Sequence, residues 1–285
     1  MDQKSSQTLH EALRRASIFL EKNQMDPELA KTYWLMAFDW NLTQLVQALH
    51  QPVPPADIQY FESILKRLAN AEPIQYILGY ADFMGERFKV TPDTLIPREE
   101  TAGIIELVRA FLEEKPTAQV LDIGTGTGIL AIMLKKLFPR TQLTAVDISQ
   151  TALAIAKENA QQIDVEVNFI QSDLLKAIDL EQKFDLVVSN PPYISVHESD
   201  LMDESVKKFE PPLALFAENN GLAIYQQLAQ TLPAFMNQQG RIIFEIGYRQ
   251  GNLVKKLFEA AFPQARVDVF QDYNQLERYV VIQLD

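Results

Sequence analysis

The 285-residue chain predicts an α/β protein in which a small N-terminal helical bundle precedes a mostly parallel sheet covered by helices on both faces. Two observations carry that expectation. Up to Gly79 the apolar residues recur at three- and four-residue spacing, and from residue 98 onward seven strand-like runs alternate with helical ones.

The bundle is read in order. Leu9, Leu13, Ala16 and Leu20 share one helical face. Asp26 as N-cap with Pro27 behind it announces a second helix whose apolar side carries Leu29, Tyr33, Met36 and Trp40. Thr43 caps a third, QPVPPAD (51–57) is a proline-punctuated loop, and Ile58, Phe61, Leu65 and Leu68 mark a fourth. Glu72-Pro73 opens a short fifth helix that stops at Gly79. Trp34 and Trp40 are expected in the bundle's core. Residues 80–97, with Phe83, Phe88 and Val90 around Gly85, read as a β-hairpin linker, which leaves 98–285 as the second domain.

In that domain the strand-like runs are QVLDI (119–123), QLTAVD (142–147), VEVNFI (165–170), FDLVVS (184–189), GRIIFEI (240–246), ARVDVF (265–270) and ERYVVIQL (277–284). Helical runs lie at 128–138, 149–162, 221–236 and 250–262.

Composition narrows the function classes. With 47% hydrophobic and 22% charged residues the chain is not disordered, collagen-like or of low complexity. There is no apolar run near the roughly 18 residues that span a bilayer, and no secretion signal is recognisable, so a cytoplasmic protein away from membranes is expected. Zero cysteines and three scattered histidines (His10, His50, His197) make metal chemistry a poor expectation. The net charge is −12, and residues 1–75 hold seven Lys and Arg against nine Asp and Glu, so no basic arm hides behind the average. A large nucleic-acid footprint is therefore not expected.

Two motifs carry chemistry. VLDIGTGTGIL (120–130) is a strand running through Gly124, Gly126 and Gly128 into a helix, a shape in which free backbone N–H groups meet a ligand. Its GxGxG spacing differs from the GxGxxG of dinucleotide binders. Asp147 closes the next strand, where it can take both hydroxyls of a ribose or cap the helix that starts near Ser149. The second motif, Asn190-Pro191-Pro192-Tyr193, follows the buried run FDLVVS. Two prolines remove two donors and leave carbonyls as acceptors; the Asn190 side-chain oxygen adds another and Tyr193 a flat stacking face. That set suits a planar NH2 group, although a rigid turn is the plainer alternative.

Together with EPIQYILGYADFMGERFKV (72–90), TLIPREET (94–101) and FEIGYRQG (244–251), these motifs resemble the bacterial release factor glutamine methyltransferases, the PrmC/HemK family. The resemblance implies a seven-stranded Rossmann-like, class I S-adenosylmethionine-dependent methyltransferase sheet with its last strand antiparallel. It implies N5-methylation of the glutamine in the Gly-Gly-Gln motif of peptide chain release factors, with S-adenosylhomocysteine as the other product and no metal. Carried over by motif, Gly124, Thr125, Gly126, Thr127 and Gly128 line the methionine part of the cofactor, Asp147 its ribose, and Asp173 with Leu174 the adenine. Asn190, Pro191, Pro192 and Tyr193 hold the glutamine, with Asn190, Pro191 and Tyr193 closest to the chemistry and Asn190 also touching the cofactor.

The chain departs from the family pattern at Leu174, where an aromatic residue is common, at PREETAGI (97–104) and at DYNQLER (272–278). Arg98 and Glu245 fall in matching segments, where salt bridging is the expected role. The helical domain is expected to dock the release factor, with simple packing as the alternative, and the chain to act as a monomer. Two competing readings are a nucleic-acid amino-methyltransferase, against which the acidic ISVHESDLMDES (194–205) weighs, and a binding module without catalysis.

Overall fold

A computed structural model of the chain describes residues 7–285. The chain divides into two compact units, residues 1–79 with Asp203–Phe209, and Tyr80–Met202 with Glu210–Asp285.

In the first unit, α1 (Leu9–Lys22) begins at a capping box in which the Glu11 N–H donates to Thr8 Oγ1 and the Thr8 N–H to Glu11 Oε2. Leu9, Ala12, Ala16 and Leu20 are its buried stripe. The next helix, α2 (Leu29–Ala37), starts two residues later than Pro27 suggests, because Asp26 holds the Glu28 N–H in a preceding tight turn. It ends before Asp39, whose φ of 56° breaks the helix. Trp40 therefore lies outside α2, half-buried, with its ring 6.2 Å from that of the buried Trp34. Asn41, not Thr43, caps α3 (Leu42–Ala48): the Gln44 N–H donates to Asn41 Oδ1, and Gln44 Oε1 accepts in return.

The proline loop is shorter than expected, since Pro55 is already the first residue of α4 (Pro55–Ala69). After α5 (Ile74–Leu78), Gly79 closes the run at a φ of 80°. One further helix, α9 (Glu204–Phe209), joins this unit from far along the chain, its Lys208 ammonium donating to the Asn70 carbonyl and side chain.

The second unit opens with a hairpin, β1 (Tyr80–Phe83) and β2 (Glu86–Lys89). Its two-residue turn puts Met84 and Gly85 at φ of 49° and 82°, the twist that hairpins favour. Then comes α6 (Ala102–Glu114), an element the sequence reading did not assign even though Ile104, Ile105, Val108, Phe111 and Leu112 give it a helical stripe. The main chain continues through β3 (Gln119–Ile123), α7 (Ile129–Leu137), β4 (Gln142–Asp147), α8 (Gln150–Ile163), β5 (Asn168–Gln171) and β6 (Phe184–Ser189).

After β6 and α9 come the short helical turns α10 (Pro212–Leu215) and α11 (Glu218–Gly221), then α12 (Ala223–Thr231), β7 (Met236–Glu245), α13 (Gly251–Ala261), β8 (Arg266–Gln271) and β9 (Glu277–Gln283). The helical run expected to reach 236 stops at Thr231, since Pro233 tightens the chain into a 3-10 turn and Met236 already pairs with Phe184. β5 is also shorter than its apolar run.

The seven strands stand in the order β5-β4-β3-β6-β7-β9-β8, with β9 antiparallel to both neighbours and the other pairs parallel. Alternate residues feed two cores. Val120, Leu186, Val188 and Ile243 meet α6 and α7, while Leu121, Val187, Ile242 and Phe244 meet α12 and α13. The strand order reverses between β3 and β6, and the crevice outside their carboxyl ends is where such sheets place ligands.

Candidate active site

A cavity of about 310 Å³ occupies that crevice. Its floor is the loop after β3. Gly124, Gly126 and Gly128 take φ of 71°, 56° and 87°, a backbone closed to most side chains, which is why the loop is built of glycine. The Gly124 and Thr125 N–H groups both donate to the Val146 carbonyl, and among the described residues nothing lies within 4 Å of where a Cβ on Gly124 or Gly126 would stand.

Asp147 ties this loop to the next: Oδ2 accepts from the Gly126 N–H and Oδ1 from the Ser149 N–H, both at 2.8 Å. Burial lifts its carboxyl above the usual carboxylate range against the pull of those bonds. The capping of α8 falls instead to Ser149, whose hydroxyl accepts from the Ala152 N–H.

Asp122, within β3, is buried, and burial pushes its carboxyl up to about 7. Its Oδ2 accepts from the Thr125 hydroxyl and the Ala131 N–H, while Oδ1 has no hydrogen-bond partner among the described residues. A buried acceptor left over in the wall of a cavity suits a cationic ligand group. Asp147 and Asp173 add acidic side chains to the lining, and Ile148, Leu174 and Ile224 add apolar surface. Leu174 holds a φ of 51°, and Asp173 pairs with Lys176.

Asn190, Pro191 and Pro192 line the same cavity. Asn190 Nδ2 donates to Thr101 Oγ1 at 3.1 Å, and the Thr101 hydroxyl donates to Glu245 Oε2 at 2.8 Å. Tyr193 completes the cluster by donating from its hydroxyl to Glu245 Oε1 at 3.3 Å. Burial pushes the Glu245 carboxyl up to about 7 and raises the Tyr193 phenol further above its ordinary value. The Tyr193 carbonyl accepts from Gln250 Nε2 at 2.9 Å, and Gly221 is so close that a Cβ there would stand 2.0 Å from the same oxygen.

The cavity thus brings together Gly124, Thr125, Gly126, Thr127, Asp147, Asp173, Leu174, Asn190, Pro191 and Pro192. It does not include Gly128 or Tyr193. Gly128 starts α7, where a Cβ would meet Ile132 at 2.8 Å and Ala156 at 3.2 Å; its role is close packing of α7 against α8. Tyr193 turns its ring toward the core and its hydroxyl toward Glu245, so it supports the wall instead of offering a stacking face.

Arg98 does form a salt bridge, with the buried Glu210, whereas Glu245 is held by hydroxyl groups, makes no ion pair among the described residues, and feels the charge of Arg278 only at longer range. The sequence reading gave no role to Asp122, Thr101 or Glu210. An acid inside the apolar run VLDIG was the available signal for Asp122; no local pattern marked the other two.

Known proteins match this chain over most of its length. A family model described as Methyltransferase small domain matches residues 104–246, and one described as PrmC N-terminal domain matches residues 11–79. A "Release factor glutamine methyltransferase" of Enterococcus faecalis is 39% identical over 95% of this chain and 97% of its own. One of Streptococcus pneumoniae is 41% identical over 85% of this chain and 86% of its own. Among solved structures, a methyltransferase from Pyrococcus furiosus covers 78% of this chain and 98% of its own at a TM-score of 0.53 and 17% identity, which shows the shared fold. A methyltransferase fold, a glycine loop and an Asn190-Pro191-Pro192 segment lining one cavity, and 39% and 41% identity to these two relatives over most of the chain converge on one conclusion: the chain belongs to the release factor glutamine methyltransferase family.

Proposed function

We propose that this chain methylates the side-chain amide nitrogen of the glutamine in the Gly-Gly-Gln motif of bacterial peptide chain release factors, using S-adenosylmethionine. The observation that carries the reading is that Asn190 lines the same cavity as the glycine loop with its Nδ2 already engaged, which leaves Oδ1 as an acceptor for a substrate NH2. The curated relatives in E. faecalis and S. pneumoniae carry the matching name.

Residues of the glycine loop would hold the cofactor, which would supply an electrophilic methyl on a sulfonium, with S-adenosylhomocysteine as the other product. The protein's own contribution is orientation. An amide nitrogen is a weak nucleophile because its lone pair is delocalised, and holding both its hydrogens between Asn190 Oδ1 and the Pro191 carbonyl turns that lone pair toward the methyl. No strong base is needed before transfer; the nitrogen loses its proton afterwards.

The helical unit is the docking surface in this reading. Its exposed apolar residues, among them Phe38, Leu42 and Val46, are more than core packing requires, and Leu42 and Val46 share one face of α3.

The test is transfer of labelled methyl to a bacterial release factor, beside a factor whose Gly-Gly-Gln glutamine is replaced and beside duplex DNA and rRNA. Label on the wild-type factor alone supports the assignment. Label on nucleic acid points to the amino-methyltransferase alternative, and label on nothing to a binding module.

A further inference from the structure

Within this methyltransferase reading, on which the inference rests, we propose that Thr101 and Glu245 are positioning residues that fix which end of the Asn190 amide faces the cavity. The two ends of an asparagine amide have nearly the same shape and opposite chemistry. Oδ1 accepts hydrogen bonds, while Nδ2 only donates and would repel a substrate NH2. A lone asparagine at the end of a strand can present either.

The relay removes the choice. With Glu245 ionised, the Thr101 hydroxyl donates its one hydrogen to Glu245 Oε2 at 2.8 Å. What Thr101 Oγ1 then offers Asn190 is a lone pair, and of the two amide ends only Nδ2 can use it, at 3.1 Å. Oδ1 is thereby turned away from Thr101. Reversing the amide would set Oδ1 against Thr101 Oγ1, two acceptors with no hydrogen between them.

Glu245 is itself held in place. It stands at the carboxyl end of β7, the strand beside β6, and its other oxygen accepts from Tyr193 of the same tetrapeptide as Asn190. Thr101 ends a 3-10 turn pinned by Tyr279, whose hydroxyl donates to the Glu100 carbonyl at 2.6 Å. Thr101 and Glu245 are 1% and 2% exposed. Burying a carboxyl group that makes no ion pair among the described residues is costly, and an apolar residue would fill the space without that penalty. What an apolar residue cannot supply is a fixed direction for the Thr101 hydroxyl.

The alternative is that the relay merely tethers residues 98–101 to the sheet, and a double-mutant cycle separates the two. Thr101→Val keeps the shape and removes the hydroxyl; it is expected to lower kcat about tenfold while cofactor Kd and release-factor KM stay within about twofold. Thr101→Ser is expected to recover the loss. In an Asn190→Ala background Thr101→Val is expected to cost less than twofold, since it acts only through Asn190. Equal factors in both backgrounds, a cofactor Kd that moves as far as kcat, or no recovery with serine would each overturn the proposal.

A readout independent of the substrate accompanies the kinetics. In protein labelled selectively at asparagine, the Nδ2 protons of Asn190 are expected to exchange slowly with solvent in the wild type and Thr101→Ser and rapidly in Thr101→Val. If the wild-type enzyme labels no release factor the functional reading falls, and the relay is still decided by this signal: exchange unchanged in Thr101→Val overturns it.

Discussion

The Asn159 side chain on α8 donates to the Thr127 carbonyl at 2.9 Å and to the Lys89 carbonyl at 3.1 Å, while its oxygen accepts from the Lys89 N–H at 2.7 Å. One fully buried amide therefore braces the glycine loop from behind and ties the hairpin to it. Asn159→Leu removes the side-chain partner of three backbone groups, one buried and two half-buried. We expect a loss of about 2–4 kcal/mol of stability, read as a lower denaturant midpoint, together with weaker cofactor binding. A variant as stable as the wild type would show that the amide is dispensable.

Gly128 is expected to tolerate no side chain. A methyl group there would meet Ile132 and Ala156 at a φ of 87°. Gly128→Ala should cost about 1–3 kcal/mol through overpacking and backbone strain, and thermal unfolding reports it.

Asn190→Ala should lower kcat by about 10²-fold or more, the scale of removing a group that orients charge in a reacting complex. Cofactor affinity should change little. Isothermal titration with S-adenosylhomocysteine beside steady-state kinetics makes the comparison, and equal losses in both would contradict the orienting role of the amide.

Stability should fall as pH rises through the mildly acidic range. The Asp122 carboxyl sits at about 7 in the fold and near 3.8 in a solvated chain, so the unfolded state gives up that proton first. Between those values the fold binds more protons than the unfolded chain, and rising pH favours unfolding; above about 7 the contribution is flat. Glu245 acts with the same sign from 4.5 up to about 7. Asp122→Asn removes one share, so melting temperature measured from pH 5 to 7 should decline less steeply in the variant. An identical slope would reject this assignment.

Docking through the helical unit is checked by Leu42→Ser combined with Val46→Ser. The pair is largely solvent-exposed, at 61% and 60%, so folding should be unaffected. Release-factor KM should rise about tenfold, the effect of losing an apolar anchor worth about 1.4 kcal/mol, with cofactor Kd unchanged.

Much of the fold was legible because its rules are local. Seven apolar runs became seven strands, and the loop after β3 was readable from three glycines. Misreadings arose where two local answers were equally good. Asn41 and Thr43 can each cap a helix, and only the reciprocal bond with Gln44 chose Asn41. The oversight at α6 was different in kind, since its stripe was present and unused. At the site, residue types were legible and orientations were not. Tyr193 faces inward because Glu245, 52 residues away, accepts its hydroxyl, and Thr101 reaches the same carboxylate across 144 positions. No motif encodes such distances.

The helix Asp203–Phe209 brings the timing of synthesis into the architecture. Its chain leaves the sheet unit after Met202 and rejoins it at Glu210, on a loop whose base is closed by backbone bonds between Ile194 and Leu215 and between Ala217 and Ile194. On the ribosome the first helices emerge early, yet the element that finishes their unit is made more than a hundred residues later, on the order of ten seconds at ordinary elongation rates. Until then the surface that receives this helix stands uncovered. A nascent chain stalled inside the sheet unit would carry it exposed.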